Sequence, residues 1–279
     1  MHNFPIIKEA STEQATPIGL FEGDQLLGLS HEDRVGNMYL LGRTGTGKSL
    51  TLKNMVISDV LKGRGGFMID PYGDLAKDIV EYIPADQSQK VATFTVIDGS
   101  AEENLAKFRS DIHLSEMQKD KSKFLLCNLN YPTVGEDVAR DIGRAIIKEF
   151  YSTVGTDGDL KDRTLYLDES HNFIDDEILE NLLQSKKLGL TVVLSDQALA
   201  TYKTSVVNKL LGGIDHLLCF NVGGITASLV TENLDLDITK EDIRALEQYH
   251  FYARLAQGGT PQSSVHLKGV FPLSFPKQS

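Results

Sequence analysis

The chain reads Gly42-Arg43-Thr44-Gly45-Thr46-Gly47-Lys48-Ser49 at its most informative stretch, and these residues decide the fold. They match the pattern G-x-x-x-x-G-K-[ST] of phosphate-binding loops. The apolar run 38–41 before them predicts a strand, and the spacing of apolar residues in 49–61 predicts a helix. Glycines let backbone N–H groups wrap an anion, and a helix N-terminus adds positive potential. A chance glycine-rich turn is the alternative, which the strand-to-helix context disfavours.

This loop predicts which residues bind a nucleotide. In loops of this kind the lysine, here Lys48, reaches the β- and γ-phosphates, and the hydroxyl that follows, here Ser49, binds Mg²⁺. ATP and Mg²⁺ are therefore the predicted cofactors. The residues predicted to hold the nucleotide are Gly42, Thr44, Gly45, Thr46, Gly47, Lys48, Ser49 and Leu50.

A second motif indicates what the loop is for. Residues 164–169 form a short apolar run that ends in two adjacent carboxylates, Asp168 and Glu169. At the end of a strand they lie at the edge of the sheet where open α/β folds bind nucleotides. We expect Asp168 to support Mg²⁺ and Glu169 to polarise an attacking water, which favours hydrolysis. A solvated acidic turn is the alternative when the pair is considered alone.

Composition limits the possible function classes. The chain has 279 residues, 41% of them hydrophobic and 24% charged, which is typical of a soluble globular protein. No apolar run approaches the length of a membrane helix, the N-terminus lacks a signal-peptide pattern, and Cys127 and Cys219 are expected to be buried, reduced thiols. These features predict a cytoplasmic protein. The net charge of −11 argues against a broad nucleic-acid-binding face, so any DNA contact is expected to be local.

Strands alternate with helices along the chain, and this alternation predicts an α/β fold with a mostly parallel sheet flanked by helices and late antiparallel strands. The strands are predicted at 18–21, 25–29, 38–41, 66–70, 92–97, 123–129, 164–169, 190–194, 217–222, 250–256 and 263–267. The helices are predicted at 49–61, 74–82, 135–151, 177–187 and 240–248. The basic tract 107–123 also contains acidic residues, so a solvated helix face is favoured over a DNA contact.

Further residues are candidates for chemistry. Asp70 ends a predicted strand, and a role facing the nucleotide and a role as a turn or helix cap stay equally open. Gln197 also follows a predicted strand, where its amide could sense the γ-phosphate. His171 completes a D-E-x-H sequence, but too little chain remains for the second lobe of a helicase, so we expect it to orient loops or lie on the surface. Arg34 and Arg254 are candidates for a transition-state charge supplied to a neighbouring subunit.

Together these segments resemble the HerA/FtsK superfamily of ring-forming DNA motors, and most closely the TraD/TraG-type coupling ATPases of conjugation and type IV secretion. The segments that carry the resemblance are 33–34, 39–49, the D-P-x-G-D-L segment within 68–75, the D-E-x-x-N-F box within 165–173, 188–197 and 249–255.

The resemblance implies a RecA-like P-loop fold, homo-hexamers around a channel, ATP bound between subunits, and single- or double-stranded DNA moved through the pore. It implies that Lys48 and Ser49 bind nucleotide and Mg²⁺ and that Asp168 supports the metal. It also implies that Glu169 activates water and that Gln197 senses the γ-phosphate. Residues 1–30 are then a tail and hairpin, and residues 31–279 the RecA-like ATPase domain.

The chain departs from the family's pattern in three ways. It lacks the family's N-terminal membrane helices, so membrane attachment through a partner stays open. Only Ser100–Ser122 replaces an all-helical domain, and Lys186 stands where an arginine often acts, so a finger from Lys186, Arg34 or Arg254 is expected. Two alternatives therefore remain: an ATPase of a secretion or assembly complex that acts on protein, and an ATP-gated scaffold that hydrolyses weakly.

Overall fold

A computed structural model describes residues 15–22, 25–154, 160–234 and 237–270. The chain forms two compact units. The first unit comprises Met1–Ser58 and Val193–Ser279, and the second comprises Asp59–Val192. Predicted features at residues 1–14, the hairpin turn at 23–24 and the turn at 155–159 lie outside the described residues. Within the described part of the chain, no helix is both long and apolar enough to cross a membrane.

The strands follow one another as β1 (Thr16–Phe21), β2 (Gln25–Leu29), β3 (Asn37–Leu41), β4 (Gly66–Asp70), β5 (Val91–Thr95), β6 (Phe124–Asn128), β7 (Thr164–Asp168), β8 (Thr191–Asp196), β9 (His216–Cys219), β10 (His250–Arg254), β11 (Ala256–Gln257), β12 (Thr260–Pro261) and β13 (Val265–Lys268). The helices are α1 (His31–Arg34), α2 (Lys48–Leu61), α3 (Asp74–Tyr82), α4 (Ala101–Asp111), α5 (Leu114–Lys119), α6 (Tyr131–Val134), α7 (Glu136–Val154), α8 (Asp176–Gln184), α9 (Thr204–Gly212), α10 (Gly224–Asn233) and α11 (Lys240–Arg244).

In the first unit, strands lie side by side in the order β2, β1, β13, β10, β9, β3 and β8. Strands β3 and β9 are parallel, with Tyr39 level with Leu217. Strand β10 runs antiparallel to both β9 and β13, so the predicted late antiparallel strands are confirmed. Because β3 is fully buried, its apolar side chains fix the strand that leads into the phosphate-binding loop.

In the second unit, strands lie in the order β7, β4, β6 and β5, and neighbouring strands run parallel. Strands β4 and β6 are buried along their whole length, as expected of parallel strands covered on both faces. Helix α7 packs Phe150 against Phe67 of β4, with ring centroids 5.3 Å apart. The predicted α/β class with a mostly parallel sheet is therefore confirmed.

The segment Ser100–Ser122 contains two helices, α4 and α5. Helix α4 begins with a capping box in which Ser100 and Glu103 exchange hydrogen bonds, and Phe108 packs edge-on against Phe94 at 5.1 Å. Arg109 lies largely exposed and pairs with Glu149. The expectation of a solvated helix face is thus confirmed for this part of the tract.

Some predicted boundaries were wrong, and several helices were not predicted. Helix α11 ends at Arg244 rather than at residue 248, because the Asn221 side chain takes the Arg244 and Leu246 carbonyls that would continue it. Helices α9 and α10 were not predicted. In α10 the apolar residues point to all sides after two glycines, so no single stripe marks the helix. Helix α8 ends at Gln184 and continues as a 3₁₀ turn to Leu188.

Candidate functional site

The phosphate-binding loop lies between β3 and α2, as predicted, and hydrogen bonds fix both sides of its first turn. The Gly42 N–H donates to the Asp196 carbonyl at 3.1 Å, and the Arg43 N–H donates to the Asn221 carbonyl at 2.9 Å. The Thr46 hydroxyl donates to the Arg43 carbonyl at 2.7 Å. The loop is therefore held by the end of β8 and by the segment that follows β9.

The glycines of the loop are needed for two different reasons. Gly45 and Gly47 have φ values of +79° and +119°, in the region that side chains with a Cβ rarely adopt. At Gly42 space is the limit, since a Cβ there would lie 2.6 Å from the Cβ of Phe220. At Gly47 a Cβ would also approach Tyr249 and Phe220, at 3.1 and 3.2 Å.

A segment far away in sequence braces the other end of the loop. The Tyr249 N–H donates to the Thr46 carbonyl at 2.8 Å, and the Gln248 amide donates to the Gly45 carbonyl at 2.9 Å. Tyr249 itself has a φ of +66°, which is uncommon outside glycine. The sequence did not predict the supporting roles of Gln248 and Tyr249, because the positive φ and both hydrogen bonds arise only in the folded chain.

The loop is arranged as a cradle for an anion. Within the described residues, the structure gives no protein acceptor for the N–H groups of Thr44, Gly45 and Gly47. Lys48 is buried at the start of α2, whose N-terminus is positive, whereas the Ser49 side chain is exposed. Unpaired N–H groups, a lysine and a helix N-terminus suit a polyphosphate, and an exposed hydroxyl oxygen suits Mg²⁺. The residue that follows, Leu50, is half-buried.

Gln197 lies beside the loop. The Thr44 hydroxyl donates to the Gln197 side-chain oxygen at 3.1 Å, which orients the amide of an exposed residue. The preceding residue, Asp196, is fully buried and accepts hydrogen bonds from the phenols of Tyr39 and Tyr202, at 2.7 and 2.9 Å. Burial, with the nearby Asp196 carboxylate, raises the pKa of Tyr39 and keeps this phenol a donor. This network fixes the end of β8 and with it the position of Gln197.

In the second unit, β7 ends at Asp168, one residue before the predicted end of the strand, and Glu169 follows it. Glu169 adopts φ +47° and ψ +54°, a left-handed conformation that costs a non-glycine residue free energy. The Asn172 amide supports this turn by donating to the Glu169 carbonyl at 2.9 Å. The His171 Nδ1 atom lies 3.6 Å from a Glu169 carboxylate oxygen. Strain held in place by neighbours often marks functional positions.

Asp70 ends the strand next to Asp168. Ile69 is level with Leu167, so both carboxylates lie at the carboxyl ends of parallel strands. The Asp70 carboxylate accepts the N–H groups of Tyr72 and Ala76, at 3.0 and 2.8 Å. Burial raises the pKa of Asp70, and these hydrogen bonds oppose the rise. Of its two possible roles, the geometry supports the turn and cap role.

No family model and no curated protein matches the chain, but solved structures do. The bacterial conjugative coupling protein TrwBdeltaN70 aligns with a TM-score of 0.68 at 11% identity, over 100% of this chain and 95% of that chain. VirB4 of Thermoanaerobacter pseudethanolicus aligns with a TM-score of 0.67 at 11% identity, over 95% and 98%. The genome packaging NTPase B204 from Sulfolobus turreted icosahedral virus 2, in complex with ATP-gammaS, aligns at 0.52 and 15% identity, over 85% and 98%.

The chain has the RecA-like fold of P-loop ATPases. The predicted likeness to HerA/FtsK-type motors is confirmed at the level of the fold. Further structures of TrwB, with TM-scores of 0.61–0.64 at 12% identity, are complexes with non-hydrolysable ATP and GTP analogues and with ADP and Mg²⁺.

The candidate finger residues fare differently. Arg34 is buried, at 1% exposure, and donates to the Thr16 hydroxyl at 3.0 Å, so the structure does not support a role in reaching a neighbouring subunit. Arg254 lies five residues along the strand from Tyr249, about 17 Å at about 3.4 Å per residue, which places it away from the loop. Lys186 is exposed on the 3₁₀ turn after α8.

The two cysteines are buried, as predicted. Burial raises the pKa of the Cys127 thiol, and it raises the pKa of the Cys219 thiol to about 12. Both thiols therefore stay protonated at neutral pH and serve packing rather than nucleophilic chemistry.

Proposed function

We propose that this chain is a Mg²⁺-dependent ATPase of the HerA/FtsK superfamily that works as a ring-forming DNA motor of the conjugative coupling type. The geometry of the phosphate-binding loop carries the proposal. Three glycines, at 42, 45 and 47, hold a shape that other residues would strain or block, and this shape exposes backbone N–H groups at the start of a helix. This arrangement suits a bound triphosphate.

Each role in binding falls to a named side chain. Lys48 would contact the β- and γ-phosphates, and the Ser49 hydroxyl and the Asp168 carboxylate would hold Mg²⁺. When bound, Mg²⁺ neutralises charge that develops on the phosphate oxygens. The N–H groups of Gly45 and Gly47 stabilise the same charge without having to reorganise during the reaction.

Hydrolysis then needs an oriented water. The Glu169 carboxylate takes a proton from this water while the water oxygen attacks the γ-phosphorus. The bond between the γ-phosphorus and the oxygen that bridges it to the β-phosphate breaks in the same step. The left-handed backbone of Glu169, held by the Asn172 amide, presents the carboxylate in one orientation. Gln197, oriented by Thr44, donates from its amide to the γ-phosphate or to the water. The products are ADP and inorganic phosphate.

The ring and the DNA are the finer parts of the proposal. A neighbouring copy would supply the exposed Lys186 as a positive charge to the transition state, and a lysine gives a point charge rather than the two-pronged contact of arginine. Because the net charge is −11, we place DNA contacts on a small part of the surface, with a strong dependence on salt.

A second function is an ATPase of a secretion or assembly complex that acts on protein without binding DNA. The net charge of −11 favours this function, because non-specific DNA binding depends on contacts of lysine and arginine with the phosphates. An ATP-gated scaffold with weak turnover is the remaining option, which Lys186 in place of an arginine favours.

The experiment is a steady-state ATPase assay at low salt, without DNA and with single- or double-stranded DNA. The DNA motor predicts a rate that rises with DNA and falls again as salt is added. A rate that DNA leaves unchanged at every salt concentration would refute the DNA motor and favour the protein-acting ATPase. Turnover that stays at the background of Lys48→Ala under all conditions would favour the scaffold.

A further inference from the structure

Two histidines face each other on neighbouring strands of the first unit. His250 lies on β10 and His266 on β13, and the register pairs His250 with Lys268 and Tyr252 with His266. Both histidines therefore lie on the same face of the sheet. The Nδ1 atom of His250 lies 3.2 Å from the Nε2 atom of His266. The ring centroids are 5.1 Å apart, with 30° between the ring planes.

This separation suits two ligands of one metal ion. With Zn–N bonds of about 2.0–2.1 Å and tetrahedral angles, two nitrogen ligands lie about 3.3 Å apart. His266 is exposed and His250 half-buried, so water can complete the coordination. We propose that His250 and His266 form a two-histidine site for a borderline divalent transition-metal ion such as Zn²⁺.

The surroundings bear on which ion the site takes. The histidines border a cavity of about 320 Å³ whose lining also includes Glu22 and Lys268. Glu22 brings a carboxylate to the rim, whereas the ammonium of Lys268, opposite His250, repels cations. Imidazole ligands favour zinc, copper and nickel over Mg²⁺, which prefers oxygen ligands. The site therefore differs in chemistry from the Mg²⁺ site proposed at Ser49 and Asp168.

Protonation competes with the metal. A histidine that binds a metal must be a neutral imidazole. Burial and, to a smaller extent, the neighbouring His250 lower the pKa of His266, whereas Glu247 raises it. The other groups that face the pair are Tyr252, whose ring lies 5.3 Å from His266, and the ammonium of Lys268. Binding is expected to weaken as the pH falls, because protons compete with the metal for the ring nitrogens. A hydrogen bond between the two rings, with one shared proton, is the competing explanation of the short distance.

The site also adjoins the brace of the phosphate-binding loop. Tyr249 precedes His250, donates its N–H to Thr46 at 2.8 Å, and accepts the N–H of Gly269 at 2.7 Å. An ion bound by both histidines would link β10 and β13 next to the Tyr249 contact with the loop. The metal site itself does not depend on the proposed ATPase function, and only an effect on nucleotide affinity would rest on it.

The test is a titration of the full, tag-free chain with Zn²⁺ by calorimetry, repeated with Co²⁺ by visible absorption, in the absence of nucleotide. His250→Gln and His266→Gln are compared with His113→Gln, an exposed histidine at the start of α5. Thermal melting without metal checks that each variant is folded.

We expect one equivalent of Zn²⁺ on the wild type and on His113→Gln, with affinity reduced at least tenfold in His250→Gln and in His266→Gln. Zn²⁺ should also raise the melting temperature of the wild type and leave that of the double variant unchanged. Binding of Zn²⁺ to the folded double variant as tight as to the wild type would overturn the proposal. Absence of stoichiometric binding to the wild type would overturn it as well and support the shared proton.

Discussion

Replacing Gly47 by alanine tests whether nucleotide binding depends on the backbone conformation of the phosphate-binding loop. The φ of +119° lies outside the region that alanine readily adopts, and the new Cβ would meet Tyr249 and Phe220 at 3.1 and 3.2 Å. Backbone strain of this kind costs about 1–3 kcal/mol. If the loop relaxes to escape it, that free energy is lost from nucleotide binding. At about 1.4 kcal/mol per tenfold, ATP affinity should fall about 5- to 150-fold.

Two other glycines provide a graded control. Gly45 has a φ of +79° but open space around a Cβ, so Gly45→Ala adds strain without a contact. Gly212, at the end of α9, has open space and no unusual φ, so Gly212→Ala should leave ATP affinity unchanged. The assay is equilibrium binding of a fluorescent ATP analogue, with thermal melting to confirm folding. ATP binding by Gly47→Ala equal to that of the wild type, or an equal loss of binding in Gly212→Ala, would show that nucleotide affinity does not depend on the conformation of Gly47.

Three further predictions follow from single contacts. Tyr39→Phe removes the phenol that donates to the buried Asp196 and should lower the free energy of unfolding by about 1.5–3 kcal/mol in chemical denaturation; an unchanged midpoint would contradict this. Gly73→Ala would place a Cβ 2.1 Å from the Asn128 side chain at a φ of +86°, so we expect a lower melting temperature, and a value equal to the wild type would count against the described turn. Gln197→Ala should lower kcat about tenfold or more in ATPase kinetics and leave ATP affinity almost unchanged, whereas an unchanged kcat would remove Gln197 from the mechanism.

The sequence was sufficient for features that depend on neighbouring residues. The loop at 42–49, the strand β3 before it and the helix α2 after it are local patterns of glycine spacing and apolar periodicity. The same holds for β7, whose apolar run ends at Asp168. For these elements burial of apolar side chains and local backbone preference act in the same direction, so the pattern alone was enough.

Features that depend on long-range contacts could not be predicted. The contact of Gln248 with Gly45 joins residues that are 203 positions apart, and the left-handed conformation of Glu169 has no sequence signature. Arg34 was a finger candidate on the basis of its charge, but the fold buries it beside Thr16. In each case tertiary packing decided the outcome, and a single sequence carries no record of which surfaces will meet.

The roles of Lys48 and Glu169 are tested by measuring ATP binding and steady-state hydrolysis together, with Mg²⁺, for the wild type, Lys48→Ala and Glu169→Gln. We predict that Lys48→Ala loses binding, and that Glu169→Gln keeps ATP affinity while turnover falls about 100-fold or more, as removal of a general base commonly does. Binding by Lys48→Ala equal to that of the wild type would contradict the assignment of the loop. Undiminished turnover in Glu169→Gln would contradict the assignment of the base.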